Sequence, residues 1–85
     1  MTAARRAVIV GTGLIGASVA LALREQGWRV AGVERDAARL QEALDAGVID
    51  AAGVDPEAEL VVIAVPVSSV GAAAIAALAQ CPNAT

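Results

Sequence analysis

The chain has 85 residues, a net charge of −3, no lysine and six scattered arginines, a balance that excludes a basic nucleic-acid-binding stripe and allows one small domain at most. It has no histidine, which excludes a histidine base, a histidine metal ligand and a Ser-His dyad, and no metal site is expected. Its single cysteine excludes an intrachain disulfide and makes a reducing, cytoplasmic compartment the expectation.

Hydrophobic residues make up 58% of the chain and only one residue is aromatic, so the core must be built from Val, Ile, Leu and Ala. Residues Ala7 to Val10 form a short apolar run ending at Gly11, as a buried parallel strand does. Leu14 to Gln26 follows as a helix, with Ile15, Val19 and Leu23 recurring every fourth position and Gly27 at the position just past its end. Arg29 to Val33 is a second strand, and Asp36 caps a helix over Ala37–Ala46. In that helix Leu40, Ala43 and Leu44 line an inner face, Arg39, Gln41, Glu42 and Asp45 face water, and Gly47 closes it. Val48 to Asp50 reads as a brief third strand, and Asp55-Pro56 as the start of one helical turn. "LVVIAV", residues 60 to 65, is apolar on both faces and ends at Pro66, like a central parallel strand. A third helix capped by Ser68 or Ser69 runs to about Gln80, and Cys81 is an inert thiol at the helix end. Trp28 packs at the start of the second strand, and Ser18 faces a neighbouring backbone in the first helix.

This alternation predicts an α/β fold of Rossmann type, a doubly wound parallel sheet with about four strands and three helices. The usual strand order 3-2-1-4-5-6 would leave the fourth strand as an uncovered apolar edge, so residues 1–85 are expected to be the first part of a longer dinucleotide-binding domain. An export signal is the competing reading of the N-terminus, since Arg5 and Arg6 precede seventeen uncharged residues and Ala20-Leu21-Ala22 resembles a cleavage site. A second uncharged stretch, Leu60 to Ala79, approaches membrane-spanning length. Glycines make a poor signal core, Pro66, Ser68, Ser69 and Gly71 break the second stretch, and the strand–helix alternation continues through both, so neither export nor membrane insertion is expected.

Gly11, Gly13 and Gly16 spell G-x-G-x-x-G between the first strand and the first helix. The first glycine permits the tight turn, the second lets the backbone approach a pyrophosphate, and the third lets helix and strand pack closely. The amides of Leu14, Ile15 and Gly16 lack intrahelical acceptors and point at bound phosphates. The pattern is weak alone, but an acidic residue belongs at the end of the second strand, and Glu34 lies there, 21 residues after Gly13. Its carboxylate accepts bonds from ribose hydroxyls and repels a 2′-phosphate, favouring NAD over NADP. Arg35 complicates that preference, because a guanidinium stacks on adenine or attracts the phosphate. Ligands bind beyond the carboxyl ends of strands in such sheets, which places Val65, Pro66 and Val67 beside the cofactor, although spacing alone favours Pro66 as a simple strand end. The candidate cofactor-binding set read from the residues is therefore Gly11, Thr12, Gly13, Leu14, Ile15, Gly16, Glu34, Arg35, Val65 and Pro66, with no catalytic residue among them.

"VGTGLIGASVALALREQGWRVAGVERD", followed by "AGVID" and "ELVVIAVPVSSV", resembles the N-terminus of prephenate/arogenate dehydrogenases over about Ala7 to Leu78. The resemblance implies an NAD-dependent oxidative decarboxylation of prephenate or arogenate on the route to tyrosine, with a catalytic histidine in a later segment. It also implies a helical C-terminal domain that completes the substrate pocket and a homodimer. Gly11, Gly13 and Gly16 match the family's pyrophosphate turn, Glu34 its ribose-binding acid, and Ala64, Val65 and Pro66 its cofactor-flanking strand-four end, which adds Ala64 to the cofactor-binding set. Glu59 stands where the family has Asp. Alone, the chain is expected to hold a dinucleotide without turning over substrate. The alternatives are a non-catalytic NAD-binding module complete at this length, and another β-hydroxyacid-type dehydrogenase or reductase.

Overall fold

A computed structural model describes residues 4–65 and 67–85, without the side chains of residues 67–69 and 78. Among the described residues four parallel strands, β1 (Arg6–Val10), β2 (Arg29–Val33), β3 (Ala51–Ala52) and β4 (Leu60–Ile63), form one sheet in the order β3-β2-β1-β4. The helices α1 (Leu14–Glu25), α2 (Ala37–Asp45) and α3 (Val67–Gln80) connect or follow them. The expected Rossmann-type α/β fold is borne out, with β1 at the centre of the sheet.

Apolar side chains alternate across the sheet because successive residues of a strand point to opposite faces. Ile9 and Val30 point to one face, where Ala20 of α1, Ala43 of α2 and Ile49 bury them. Val8 and Ala31 point to the other, under Ala58 and Cys81. Close packing of α1 on β1 selects small inward residues. Gly16 and Ala20 are buried with Val19 and Leu23 beside them, while Ile15 stands 75% exposed. Of the expected stripe Val19 and Leu23 pack on the core, and only Ile15 is corrected: Gly16 takes the inward place above β1, where a side chain has no room, and Ile15 turns outward.

Both early helices stop the same way. The amides of Gly27 and Trp28 bond back to Arg24 O and Leu23 O, and those of Gly47 and Val48 to Leu44 O and Ala43 O. These are paired Schellman closures, with each glycine at positive φ. Asp36 caps α2 as expected, its Oδ1 accepting the amides of Ala38 and Arg39.

The third strand lies later than expected, at Ala51–Ala52 in place of Val48–Asp50. The reason is that "GVID" is already engaged. Val48 completes the α2 closure, and Ile49 is buried over Gly32, at whose position a Cβ would lie 2.8 Å from Ile49 Cδ1. Asp50 brackets Val30, taking its amide on Oδ2 (2.8 Å) and giving its own amide to Val30 O (2.7 Å). Arg24 then bonds Gly47 O and pairs with Asp50 (3.0 Å), tying α1 to this corner.

Also at the amino ends of the strands, Asp55 opens a single hydrogen-bonded turn, Ala58 N–H to Asp55 O (3.0 Å), as expected. Its side chain is 9% exposed and accepts from Arg6 Nε at 2.6 Å. Burial pushes the Asp55 carboxyl up, but bonds from Arg6 and the Glu57 amide and the nearby arginine charges outweigh it and hold it below the usual carboxylate range. Cys81 is buried with its thiol near Asp55 O, and burial raises its pKa, as an inert thiol requires. Strand β4 ends at Ile63, two residues before the expected end. Thr85 lies along its outer edge, donating to Glu59 O and accepting from Val61 N–H, both at 2.9 Å. The expected strand-ending role of Pro66 falls outside the described residues, and the expected caps Ser68 and Ser69 fall on side chains that are likewise not described. Among the described residues no helix is long and apolar enough to cross a membrane.

Candidate functional site

The carboxyl ends of β1, β2 and β4 open onto a cleft of about 500 Å³. Its wall brings together Gly13, Glu34, Arg35, Ala64 and Val65 from the expected set, joined by Val10, Val33, Arg39 and the small residues Ala72, Ala73 and Ala76 of α3. Its size falls within the roughly 300–1,000 Å³ of small-ligand sites. Alanines along α3 leave that room because they project little beyond the helix backbone.

Three glycines shape the turn between β1 and α1 in different ways. Gly11 has φ +94°, and a Cβ there would lie 2.3 Å from Ala64 O, so the turn presses directly on the end of β4. A Cβ at Gly16 would lie 1.9 Å from Gly11 O. At Gly13 a Cβ would meet no protein atom within 4 Å. Gly13 is also the N-cap of α1, and its carbonyl takes the Ala17 amide at 2.8 Å. The preceding first-turn amides lie beyond the reach of the helix's own acceptors, at the positive end of its dipole. A bare backbone, open space and a helix start form a cradle for phosphate oxygens.

Leu14 and Ile15 belong to this cradle through their amides alone, since their side chains are 89% and 75% exposed and neither lines the cleft. Gly11 and Gly16 lie beneath the cleft as buried supports. Pro66 and the side chain of Val67, expected beside the cofactor, lie outside what is described.

Glu34 points back at the turn. Its Oε1 accepts the Thr12 amide at 3.1 Å and the Thr12 hydroxyl at 3.3 Å, and its Oε2 accepts the Asp36 amide at 2.9 Å. Its side chain is only 9% exposed. The Asp36 amide does most to hold its carboxyl below the usual range, burial opposes this, and the two Thr12 donors and the Arg39 charge add to the lowering. Arg39, expected to face water, approaches Glu34 at 3.8 Å while remaining half exposed. Its place one turn into α2 was the signal that sequence reasoning missed. The first turn of the helix after β2 faces the same cleft as the strand's end.

Fold and cleft define the class, a Rossmann-like NAD-binding α/β unit. The chain belongs to the TrkA-N domain family, whose profile matches residues 7–83. Its structure is similar to that of arogenate dehydrogenase from Synechocystis, with a TM-score of 0.77 and 27% identity, over 94% of this chain and 29% of that one. It is also similar to prephenate dehydrogenase from A. aeolicus, solved with hydroxyphenyl propionate and NAD+, with a TM-score of 0.68 and 25% identity, over 80% of this chain and 27% of that one. The chain is thus prephenate/arogenate-dehydrogenase-like in fold. Curated relatives match over shorter stretches. Two bifunctional tRNA 5-methylaminomethyl-2-thiouridine biosynthesis proteins, MnmC of Paraburkholderia xenovorans and of Stutzerimonas stutzeri, are 54% identical over 39 residues and 53% over 38. The chain spans 6% of the length of either, and less than a third of either dehydrogenase.

Proposed function

We propose that this chain is the NAD-binding segment of a prephenate-type dehydrogenase, which decarboxylates prephenate oxidatively to 4-hydroxyphenylpyruvate in tyrosine biosynthesis. The observation that carries the dinucleotide reading is the contrast at the glycine turn. Two glycines are enforced by the protein's own backbone, while Gly13 has open space where a side chain would be, at the head of a helix. The likeness to two dehydrogenases of this substrate class supports the reaction.

In this reading the pyrophosphate lies against Gly13 and takes the free amides of Leu14 and Ile15, while Gly11 and Gly16 keep the turn tight. Glu34 receives the adenosine ribose, and its charge favours NAD over NADP. Ala64 and Val65, on the cleft wall, would flank the nicotinamide end of the cofactor, which when bound would supply a hydride acceptor. Lacking histidine, these 85 residues supply binding groups and no base of the kind such a reaction uses. The substrate pocket and a homodimer interface belong to other parts of the full enzyme, which works in the cytoplasm.

The test is Gly13→Val. The backbone there, φ −68° and ψ −168°, is extended and suits a branched residue, and nothing in the protein obstructs the side chain. The variant is therefore expected to fold normally by circular dichroism and to lose NAD affinity by at least about 100-fold in calorimetry, on the order of 2.7 kcal/mol. Unchanged affinity in the folded variant overturns the placement.

A further inference from the structure

We propose that Thr12 is a positioning residue for cofactor choice: its amide and hydroxyl fix the Glu34 carboxylate so that its remaining acceptor site meets a free ribose 2′-hydroxyl and refuses a phosphorylated one. The inference rests on the dinucleotide reading above.

Thr12 sits between two glycines in the turn, where a small side chain of any kind would satisfy the backbone, yet it is 6% exposed. Its methyl lies above Gly32, with Cγ2 3.2 Å from the place a Cβ would take there. That contact turns the hydroxyl toward Glu34. Both Thr12 donors end on Oε1, at 3.1 and 3.3 Å, filling that oxygen's two acceptor sites. Oε2 holds the Asp36 amide at 2.9 Å and keeps one site. The carboxylate is therefore strapped across two turns, one after β1 and one after β2, with a single lone pair free.

A ribose hydroxyl brings a proton to that lone pair. A 2′-phosphate, ionised at neutral pH, brings charge and no proton. Arg39 pulls in the opposite sense: it lies 3.8 Å from Oε1 and is half exposed. Without the Thr12 hydroxyl, Glu34 loses one of its restraints and its carboxylate closes on Arg39, away from the ribose position, while the exposed Arg35 keeps its charge at the cleft. Thr12 thus decides where the Glu34 charge is held, at the ribose position or against Arg39.

The experiment measures calorimetric dissociation constants of NAD+ and NADP+ for the 85-residue chain and for Thr12→Val, Thr12→Ala and Thr12→Ser, with the Glu34 carboxyl titration followed by NMR in the free proteins. Thr12→Val is expected to weaken NAD+ by about tenfold, the scale of one hydrogen bond to a charged group. NADP+ should change less, so the preference narrows, and the Glu34 titration moves upward. Thr12→Ser restores both. Thr12→Ala carries the same expectation should the valine variant fail to fold. A NAD+/NADP+ ratio unmoved by loss of the hydroxyl, while Gly13→Val still abolishes binding, overturns this role and leaves the dinucleotide reading standing. Binding insensitive to Gly13→Val removes both.

Discussion

Strands β1 and β4 are hydrogen-bonded neighbours with similarly apolar sequences, AVIV against LVVI, yet they are buried very differently. Ala7, Val8 and Ile9 are at most 1% exposed, whereas every residue of β4 is only half-buried. Hydropathy is therefore not what separates them. β1 has a strand on each side, helices α1 and α2 serving one face, and Ala58 with Cys81 on the other. β4 pairs with β1 on one edge and is touched on the other by Thr85, and the groove between it and α3 is lined by Val61, Ile63, Ala74 and Ala77. Burial depends on neighbours, and at about 25 cal/mol per Å² of apolar surface the same side chain stabilises β1 far more than β4.

The sharpest way to break the well-packed half is Gly16→Ala. Its methyl would meet a backbone oxygen that cannot move without unmaking the turn, so a loss of more than about 4 kcal/mol is expected, enough to unfold a domain this small in chemical denaturation. Next comes the direct comparison of equivalent neighbours. Ile9→Ala should cost about 3–4 kcal/mol and Val62→Ala, its register partner, about 1. Equal losses would mean that β4 is as well covered as β1. Removing the bracket at Asp50 with alanine leaves the Val30 amide and Arg24 without their partner, and a loss of about 1–3 kcal/mol is expected from the same denaturation series.

The smallest effect is electrostatic. Asp55 and Glu34 both have folded pKa values held below their ordinary ones, so their contribution is fully present above the unfolded carboxylate range near pH 4 and is lost as pH falls through the lowered folded values. Stability should decline in acid. Asp55→Asn should flatten part of that decline while lowering stability at neutral pH. An acid profile identical to wild type would show that Asp55 and Arg6 are not coupled in solution.

The order of elements and the ends of both early helices were legible in the chain because they depend on local chemistry: Asp36 as a cap, and Gly27 and Gly47 as closures. Gly11, Gly13, Gly16 and Glu34 were legible as a pattern, and Glu34 does face the turn. What escaped was set by distant contacts. The inward face of α1 is dictated by the backbone oxygen of Gly11, which no helical periodicity contains. The delay of β3 comes from Asp50 serving Val30, twenty residues away. Arg39 and the alanines of α3 reach the cleft only because the sheet order brings three strand ends together.

Trp28 is the only indole in a chain without tyrosine or phenylalanine. Its ring lies under the Arg5 guanidinium, 4.6 Å from centroid to Cζ, just before β2 begins and about 15 Å of strand away from the cleft. Ultraviolet emission from this protein consequently has a single address, at the opposite end of the sheet from the glycine turn. It reports whether the β1–β2 corner is closed, and a ligand in the cleft leaves its immediate surroundings untouched. Trp28 emission therefore follows unfolding of that corner and not the filling of the cleft.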